Sequence, residues 1–74
     1  MNLQQYRYVQ TIATVGSFSQ AAKELFVTQP SLSSSIKELE NELDVQLFHR
    51  SKSGACLTEA GSDFLLSLIH ISEP

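Results

Sequence analysis

The chain has 74 residues, of which 42% are hydrophobic and 18% are charged, and its formal net charge is −3. This length suits one small folded domain and excludes an ordinary enzyme, because two lobes around a catalytic cleft need a longer chain. The negative net charge argues at first sight against a nucleic-acid partner, since phosphate binding depends on lysine and arginine.

The sequence also indicates the compartment in which we expect the protein. Cys56 is its one cysteine, which excludes an intramolecular disulfide and a cysteine-rich zinc cluster and favours a reducing environment. Residues 1–5 lack the basic start of a signal peptide, and no apolar stretch reaches the ~18 residues that a membrane span requires. We therefore expect a cytoplasmic protein that does not enter a membrane.

The first predicted helix follows Asn2, a residue type that caps helix N-termini. It ends before Gly16, because glycine is common directly after the last helical turn. Between these residues, apolar side chains recur at spacings of three and four, which predicts one buried face. This face comprises Leu3, Tyr6, Val9, Ile12 and Ala13.

A second helix is predicted directly after the glycine. Ser17 and Gln20 have the spacing of a capping box, in which the serine oxygen accepts a backbone N–H of the first turn. The apolar face of this helix is short and contains two alanines, so another helix can approach closely. Its members are Phe18, Ala21, Ala22 and Leu25.

The third predicted helix begins after Thr28, the expected N-cap, with Pro30 in its first turn, where a missing N–H does no harm. Only Phe26 and Val27 separate it from the second helix, which leaves room for a tight turn between two crossed helices. Its apolar face comprises Leu32, Ile36, Leu39 and Leu43. We therefore expect the two helices to form a helix-turn-helix.

After the third helix, the hydrophobic pattern changes from helical to alternating. Val45 and Leu47 alternate with polar residues, residues 51–54 (SKSG) predict a turn, and residues 55–57 resume an extended run. This pattern predicts a small β-hairpin.

A fourth helix is expected to start at Thr58. Glu59 and Asp63 stand in its first turns, where their negative charge complements the helix dipole, whereas Gly61 weakens the helix. Together the elements predict a mainly α fold: a winged helix-turn-helix with a three-helix core, a small β-hairpin wing and the start of a fourth helix.

In a winged helix-turn-helix the third helix enters the major groove of DNA, and the residues outside its apolar face carry groups suited to this role. Glutamine can pair with adenine through two hydrogen bonds, serine can bond to bases or phosphates, and a helix N-terminus attracts phosphate. The candidate residues are Gln29, Ser31, Ser33, Ser34 and Lys37. The competing interpretation is an ordinary solvated helix face, on which serine and lysine are common.

The charges are distributed unevenly along the chain. Up to Lys37 the basic residues outnumber the acidic ones, and Arg50 and Lys52 add positive charge on the hairpin. The acidic residues gather between Glu38 and Asp44 and again after the hairpin. We expect the acidic run to be a solvated face behind a positive DNA-binding surface, so the net charge does not exclude DNA.

Several motifs occur together in one order. Residues 17–50 read SFSQAAKELFVTQPSLSSSIKELENELDVQLFHR, and residues 57–61 read LTEAG. From Leu3 to Gly61 the sequence resembles the N-terminal DNA-binding domain of bacterial LysR-type transcriptional regulators. The resemblance implies binding to double-stranded operator DNA within a homodimer or homotetramer. It also implies a linker helix after the wing and a separate C-terminal domain, absent from this chain, that binds a small-molecule effector.

The resemblance further assigns DNA contacts to particular residues. On the recognition helix, the matching contact positions are Gln29, Pro30, Ser33 and Ser34. On the wing, Arg50 matches the family's phosphate-binding arginine, and Lys52 is a further candidate.

The sequence departs from the family pattern at two places. Ser34 and Ser35 stand where many members have Arg or Lys followed by Gln, so a long cationic reader of bases is missing. Asp44 stands where the family often has glycine after the third helix. Because aspartate tolerates a left-handed conformation less well than glycine, the pattern leaves the end of this helix open.

Catalytic and metal-binding interpretations find less support in the sequence. His49 and His70 are the two histidines, and no cysteine or carboxylate pattern converges on them, so we expect His49 at the surface and no metal or cofactor. No Ser-His-Asp arrangement can be assembled from the spacing, so no enzymatic activity is expected. Two alternatives to DNA binding remain open: a winged helix used as a protein-interaction module, and a non-functional truncated fragment.

Residues 66–74, at the end of the chain, resemble a sequence from outside the family. Residues 66–74 (LSLIHISEP) are similar to the translation of a transposon-end adapter used in sequencing libraries. We therefore expect a DNA-binding domain at 1–57, the start of a linker and dimerisation helix at 58–65, and an artefactual tail at 66–74.

Overall fold

A computed structural model describes residues 2–51 and 54–72, with side chains described as far as Ser67. The elements are α1 (Leu3–Val15), α2 (Phe18–Leu25), α3 (Gln29–Leu43), β1 (Phe48–Ser51), β2 (Gly54–Leu57) and α4 (Glu59–Ser72). The predicted mainly α fold, a winged helix-turn-helix with a hairpin wing and a fourth helix, is confirmed. Lys52 and Ser53, which the sequence places in the hairpin turn, lie outside the described residues.

Each of the first three helices begins with the capping side chain that the sequence predicts. The Asn2 side chain accepts a hydrogen bond from the Gln5 N–H at 2.9 Å, and the Gln5 side chain accepts one from the Asn2 N–H at 3.2 Å. The hydroxyl groups of Ser17 and Thr28 each accept a hydrogen bond at 3.3 Å from the backbone N–H three residues further along the chain. These bonds satisfy N–H groups that have no partner inside their helix, so they fix where the helices start.

The core joins the first three helices to the wing. Its buried apolar residues are Tyr8, Val9, Ile12, Phe18, Ala21, Ala22, Leu32, Ile36, Leu39, Leu47 and Phe48. The small Ala21 and Ala22 are almost fully buried, which agrees with the predicted close approach of α2 to its neighbours. Most of the apolar positions expected from helical periodicity therefore do form the core.

Two predicted core residues lie at the surface instead. Leu3 is 71% exposed, because the buried stripe of α1 begins two residues later. Leu43 is 36% exposed in the last turn of α3, and the fully buried Leu47 beyond it completes the core. On α1, Tyr6 is only partly buried and Tyr8 is buried in its place.

The wing is a two-stranded antiparallel sheet in which Phe48 pairs with Leu57 at the base. The alternating pattern begins at Val45, but the strand begins only at Phe48, and Val45 is 41% exposed. The Glu40 carboxylate of α3 accepts the N–H groups of Leu47 at 2.7 Å and Phe48 at 3.3 Å. The N–H groups of Leu47 and Phe48 are therefore bound by a side chain rather than by the partner strand.

One backbone hydrogen bond joins the wing to the end of α1, and a second closes the base of the wing. The Ala55 N–H donates to the Gly16 carbonyl oxygen, and the Thr58 N–H donates to the Leu47 carbonyl oxygen, both at 2.9 Å. Gly54 has a φ of 145°, and a Cβ there would collide with the Gly16 carbonyl oxygen, so this position requires glycine. The second strand of the wing is thus attached directly to the end of α1.

Gly61, which the sequence suggests as a weak point of the fourth helix, has a packing role. A Cβ at Gly61 would collide with the Leu47 carbonyl oxygen, so its absence lets α4 lie against the base of the wing. The Thr58 hydroxyl accepts the Gly61 N–H at 2.9 Å and donates to the Gln46 carbonyl at 2.5 Å, so Thr58 caps α4 and ties it to the wing connection. Within the described part of the chain, no helix has the length and apolar character needed to cross a membrane.

Candidate nucleic-acid interface

The first two turns of α3 present polar side chains at the surface. Gln29, Pro30, Ser31 and Ser34 are exposed, whereas Ser33 is partly buried. Because an α-helix has about 3.6 residues per turn, Pro30 and Ser34 point away from the core, and Gln29 and Ser33 lie together on one flank. Four of the predicted contact residues of α3 therefore form two neighbouring rows, whereas the exposed Ser31 lies on the opposite flank of the helix.

A concavity of about 230 Å³ lies between the first turns of α2 and α3 and the wing. It is lined by Ser17, Phe18, Ser19, Gln29, Arg50, Ser51 and Gly54. The structure therefore brings together Gln29 of the helix-turn-helix and Arg50 of the wing, which the sequence had assigned to DNA from separate motifs. None of the described residues that line this concavity is acidic.

The Gln29 side chain is held by a residue of the preceding helix. The Ser19 hydroxyl donates to Gln29 Oε1 at 2.9 Å across ten positions of the chain. An amide carbonyl can accept a second hydrogen bond and its NH₂ group can donate two. Gln29 therefore keeps the hydrogen-bonding capacity that a base edge requires while its side chain is held in place.

The Arg50 guanidinium lies on an aromatic ring at the edge of the core. Its Cζ atom is 4.2 Å from the centroid of the Phe18 ring, the geometry of a cation–π contact. The Phe18 ring in turn meets Phe48 edge to face, with the centroids 5.6 Å apart and the planes at 78°. A stacked guanidinium keeps its N–H donors in its own plane, so Arg50 can still bind an anion from the side.

The concavity is suited to an anion. Ser17 is the N-cap of α2, so the partial positive charge of that helix N-terminus lies beside the Arg50 guanidinium. The Ser17 hydroxyl, which accepts the Gln20 N–H, can still donate its own proton at the same edge. A guanidinium, a helix N-terminus and hydroxyl groups are the partners that proteins use for a phosphate of the DNA backbone.

Lys37 is not brought to this concavity. It is exposed two turns further along α3, about 12 Å from Gln29 at 1.5 Å per residue, and it shares a separate depression with Glu40 and Asp44. Lys52 lies outside the described residues.

Two residues at the site and one at the connection into the wing carry roles that the sequence does not predict. Phe18 was assigned only to the core, Ser19 was not singled out, and Glu40 was placed on a solvated acidic face. The last assignment is wrong for Glu40, which is partly buried and binds two backbone N–H groups. No local pattern predicts these contacts, because each of them joins elements that meet only through the crossing of the helices and the folding of the wing.

A helix-turn-helix with exposed hydrogen-bonding groups on its third helix, flanked by a wing that carries a guanidinium, defines the class of winged helix-turn-helix DNA-binding domains. The chain belongs to the LysR family of bacterial regulatory helix-turn-helix proteins, since the family model matches residues 3–62. The resemblance inferred from the motifs is thereby confirmed.

Relatives and solved structures agree with this family. The probable RuBisCO transcriptional regulator of Thalassiosira pseudonana is 54% identical over 63 residues, which cover 85% of this chain and 20% of the relative. The crystal structure of a complex of the CbnR DNA-binding domain with DNA has a TM-score of 0.89 at 38% identity, covering 96% of this chain and 82% of that chain. A complex of the BenM DNA-binding domain with benA site 1 DNA has a TM-score of 0.87 at 35% identity, and the match covers 96% of this chain and 80% of that chain. The chain spans about a fifth of the length of the curated relatives it matches.

Proposed function

We propose that this chain is the part of a bacterial transcription regulator that binds operator DNA sequence-specifically, with the first turns of α3 in the major groove and the wing on the phosphate backbone. The observation that carries the proposal is the joint placement of Gln29 and Arg50 in one concavity without acidic lining residues. Solved relatives with the same fold are complexes with DNA. Such a regulator acts where bacterial DNA lies, in the cytoplasm.

The residues divide into two roles under this proposal. Those near base edges are Gln29, Pro30, Ser33 and Ser34. Those near phosphates are Ser31, Lys37, Arg50 and Lys52. Because Ser34 and Ser35 replace longer side chains at the second turn, base recognition rests mainly on Gln29, the one described residue of this set that can form two parallel hydrogen bonds to one base.

The proposal extends to the complete regulator. In line with the relatives, which are about five times longer than this chain, we propose that the intact protein binds its operator as a homodimer or homotetramer and senses a small molecule through a C-terminal domain. We also propose that residues 1–57 are the DNA-binding domain, 58–65 the start of the linker helix, and 66–74 a foreign tail. The test is the coding DNA: a genomic reading frame that continues through residues 66–74 without adapter sequence would contradict the foreign tail.

DNA binding is tested by selecting duplexes from a random pool with the chain and measuring the affinity of the best duplex by fluorescence anisotropy. Gln29→Ala is expected to lose about 1–3 kcal/mol and to relax the base preference at one position. Arg50→Ala is expected to weaken all duplexes alike, because a phosphate contact carries no sequence information. Gln10→Ala and Arg7→Ala are the matched controls. They remove a glutamine amide and an arginine guanidinium from exposed positions of α1.

Three outcomes are distinguishable. Loss of binding in the site variants but not in the controls supports DNA binding through this surface. A folded chain that retains no duplex from the pool would instead support a protein-interaction module or a non-functional fragment. Binding that falls equally in the two arginine variants and in neither glutamine variant would show that only overall charge matters and would contradict the proposed site.

A further inference from the structure

The first turn of α2 touches both of the side chains that the proposed function assigns to DNA. Ser19 donates a hydrogen bond to Gln29, and the neighbouring Phe18 ring lies under the Arg50 guanidinium. Two consecutive residues of one helix thus contact the third helix on one side and the wing on the other. Neither Ser19 nor Phe18 belongs to the residues assigned to DNA by the family pattern.

We propose that the first turn of α2 is a positioning element, which orients both the side chain that contacts bases and the side chain that contacts a phosphate. Ser19 holds Gln29 in the orientation that discriminates between bases, and Phe18 holds Arg50 in the orientation that meets a phosphate. The inference rests on the proposed function, since it assigns no role to the turn unless Gln29 and Arg50 bind DNA.

The argument for Ser19 starts from the freedom of the glutamine side chain. An exposed glutamine samples several rotamers, and binding a base in two-point geometry must select one of them at a cost in conformational entropy. The 2.9 Å bond from Ser19 selects a rotamer before DNA arrives, and it occupies one of the two acceptor positions of Gln29 Oε1. Because the amide group is then oriented, its preference for one base edge becomes sharper.

The argument for Phe18 is that its own ring is immobilised. Phe18 is 8% exposed, and Phe48, which it meets edge to face, is 1% exposed. The ring therefore offers a fixed plane on which the exposed guanidinium rests at 4.2 Å. Arginine loses much of its side-chain freedom on binding a phosphate, so a preformed stack raises the affinity for any duplex without favouring a sequence.

Ser19→Ala tests the first half of the proposal. We expect it to weaken the best selected duplex by about 3- to 10-fold and to leave a duplex with a changed base pair at the Gln29 position nearly unaffected, so that discrimination falls. Ser19→Thr, which retains a hydroxyl, is expected to restore discrimination. Ser62→Ala removes a hydroxyl from an exposed position of α4 and serves as the control.

The dependence on Gln29 separates positioning from a general structural effect. In a Gln29→Ala background, Ser19→Ala is expected to have no further effect, because the side chain that it orients is gone. An equal loss on both duplexes, or an undiminished loss in the Gln29→Ala background, would overturn the role of Ser19.

Phe18→Leu tests the second half. We expect a loss of about 2- to 5-fold on every duplex, which disappears in an Arg50→Ala background. Phe64→Leu, a similar truncation at a partly buried position that packs against the core, controls for lost stability and is expected to leave binding unchanged.

Arg50→Lys keeps the charge but not the planar stack, so it should reproduce the Phe18→Leu loss even if Phe18→Leu unfolds the chain. Full affinity in Arg50→Lys, or a Phe18→Leu loss that persists without Arg50, would overturn the role of Phe18.

The two levels of proposal fail in different ways. If Gln29→Ala and Arg50→Ala do not weaken binding, the proposed function fails. If they do weaken it, while the α2 substitutions act independently of them, only the positioning role fails.

Discussion

Asp44 ends α3 in the left-handed conformation, with φ 57° and ψ 37°, at the position where the family pattern often has glycine. Its backbone N–H donates to the Asn41 carbonyl oxygen at 3.3 Å, so the helix ends there as it would with glycine. The helix end that the sequence left open is therefore set by hydrogen bonding and by the buried Leu47 and Phe48 beyond it. The cost is a side chain in a conformation that favours glycine, with a negative charge at the negative end of the helix dipole.

Asp44→Gly is therefore expected to stabilise the domain by about 0.5–1 kcal/mol, which corresponds to a rise in Tm of about 2–8 °C for a domain of this size. Urea or thermal unfolding followed by circular dichroism measures the change. Asn41→Gly, at an exposed position inside the same helix, is the matched control and should destabilise by about 0.3 kcal/mol, because asparagine is already a poor helix former. A loss of stability in both variants would contradict the conformational argument.

Single residues also show which contacts could be predicted from the sequence and which could not. The three N-caps Asn2, Ser17 and Thr28 act locally, through a backbone N–H three residues away, and all three were predictable. The bond between Ser19 and Gln29 was not, because nothing in the spacing of the two residues indicates that their helices cross there. The contact positions on α3 could be proposed from composition and resemblance, but the turn that orients them becomes visible only in three dimensions.

Among the elements, the wing depends most on tertiary contacts. Its strands have four residues each, and an isolated two-stranded hairpin is marginally stable at best in water. It is held by the Glu40 carboxylate, by the Gly16 carbonyl oxygen and by the close approach of α4 at Gly61. The alternating pattern predicted a hairpin but did not show that the first strand begins only at Phe48, because alternation does not reveal that a carboxylate seven residues upstream of Leu47 binds the N–H groups there.

Glu40→Gln tests this attachment. Glutamine keeps one acceptor but removes the negative charge that strengthens both bonds, so we expect a loss of about 1–2 kcal/mol in unfolding free energy. Because the same contact fixes the distance between α3 and the wing, we also expect weaker DNA binding at a temperature where the variant is still folded. Glu38→Gln, at an exposed position of the same helix, controls for the change in charge. Because the loss of a negative charge by itself relieves repulsion from DNA, Glu38→Gln should bind DNA at least as well as the unchanged chain. An equal loss of stability and affinity in Glu38→Gln would contradict the attachment of the wing by Glu40.

At the scale of the whole molecule, the net charge of −3 is a sum over surfaces with different roles. The concavity that carries Gln29 and Arg50 has no acidic lining residue in the described part of the chain. Glu40 and Asp44, at the end of α3, line a different depression together with Lys37. Local charge, rather than the total, therefore decides whether a phosphate can approach, and an acidic chain is compatible with a DNA-binding surface.

The salt dependence of binding measures how many phosphates this surface neutralises. One copy that contacts about three to four phosphates should show a slope of about −3 in a plot of log K against log salt concentration, or a loss of about 60-fold between about 50 and 200 mM salt. Arg50→Ala should reduce the slope by about one, whereas Arg7→Ala should leave it unchanged. A slope about twice as steep would show that two copies bind together, which analytical ultracentrifugation of the complex can check independently. A slope near zero would contradict phosphate binding at the concavity. A cationic site that neutralises phosphates must release counterions from the duplex, so its binding must weaken as the salt concentration rises.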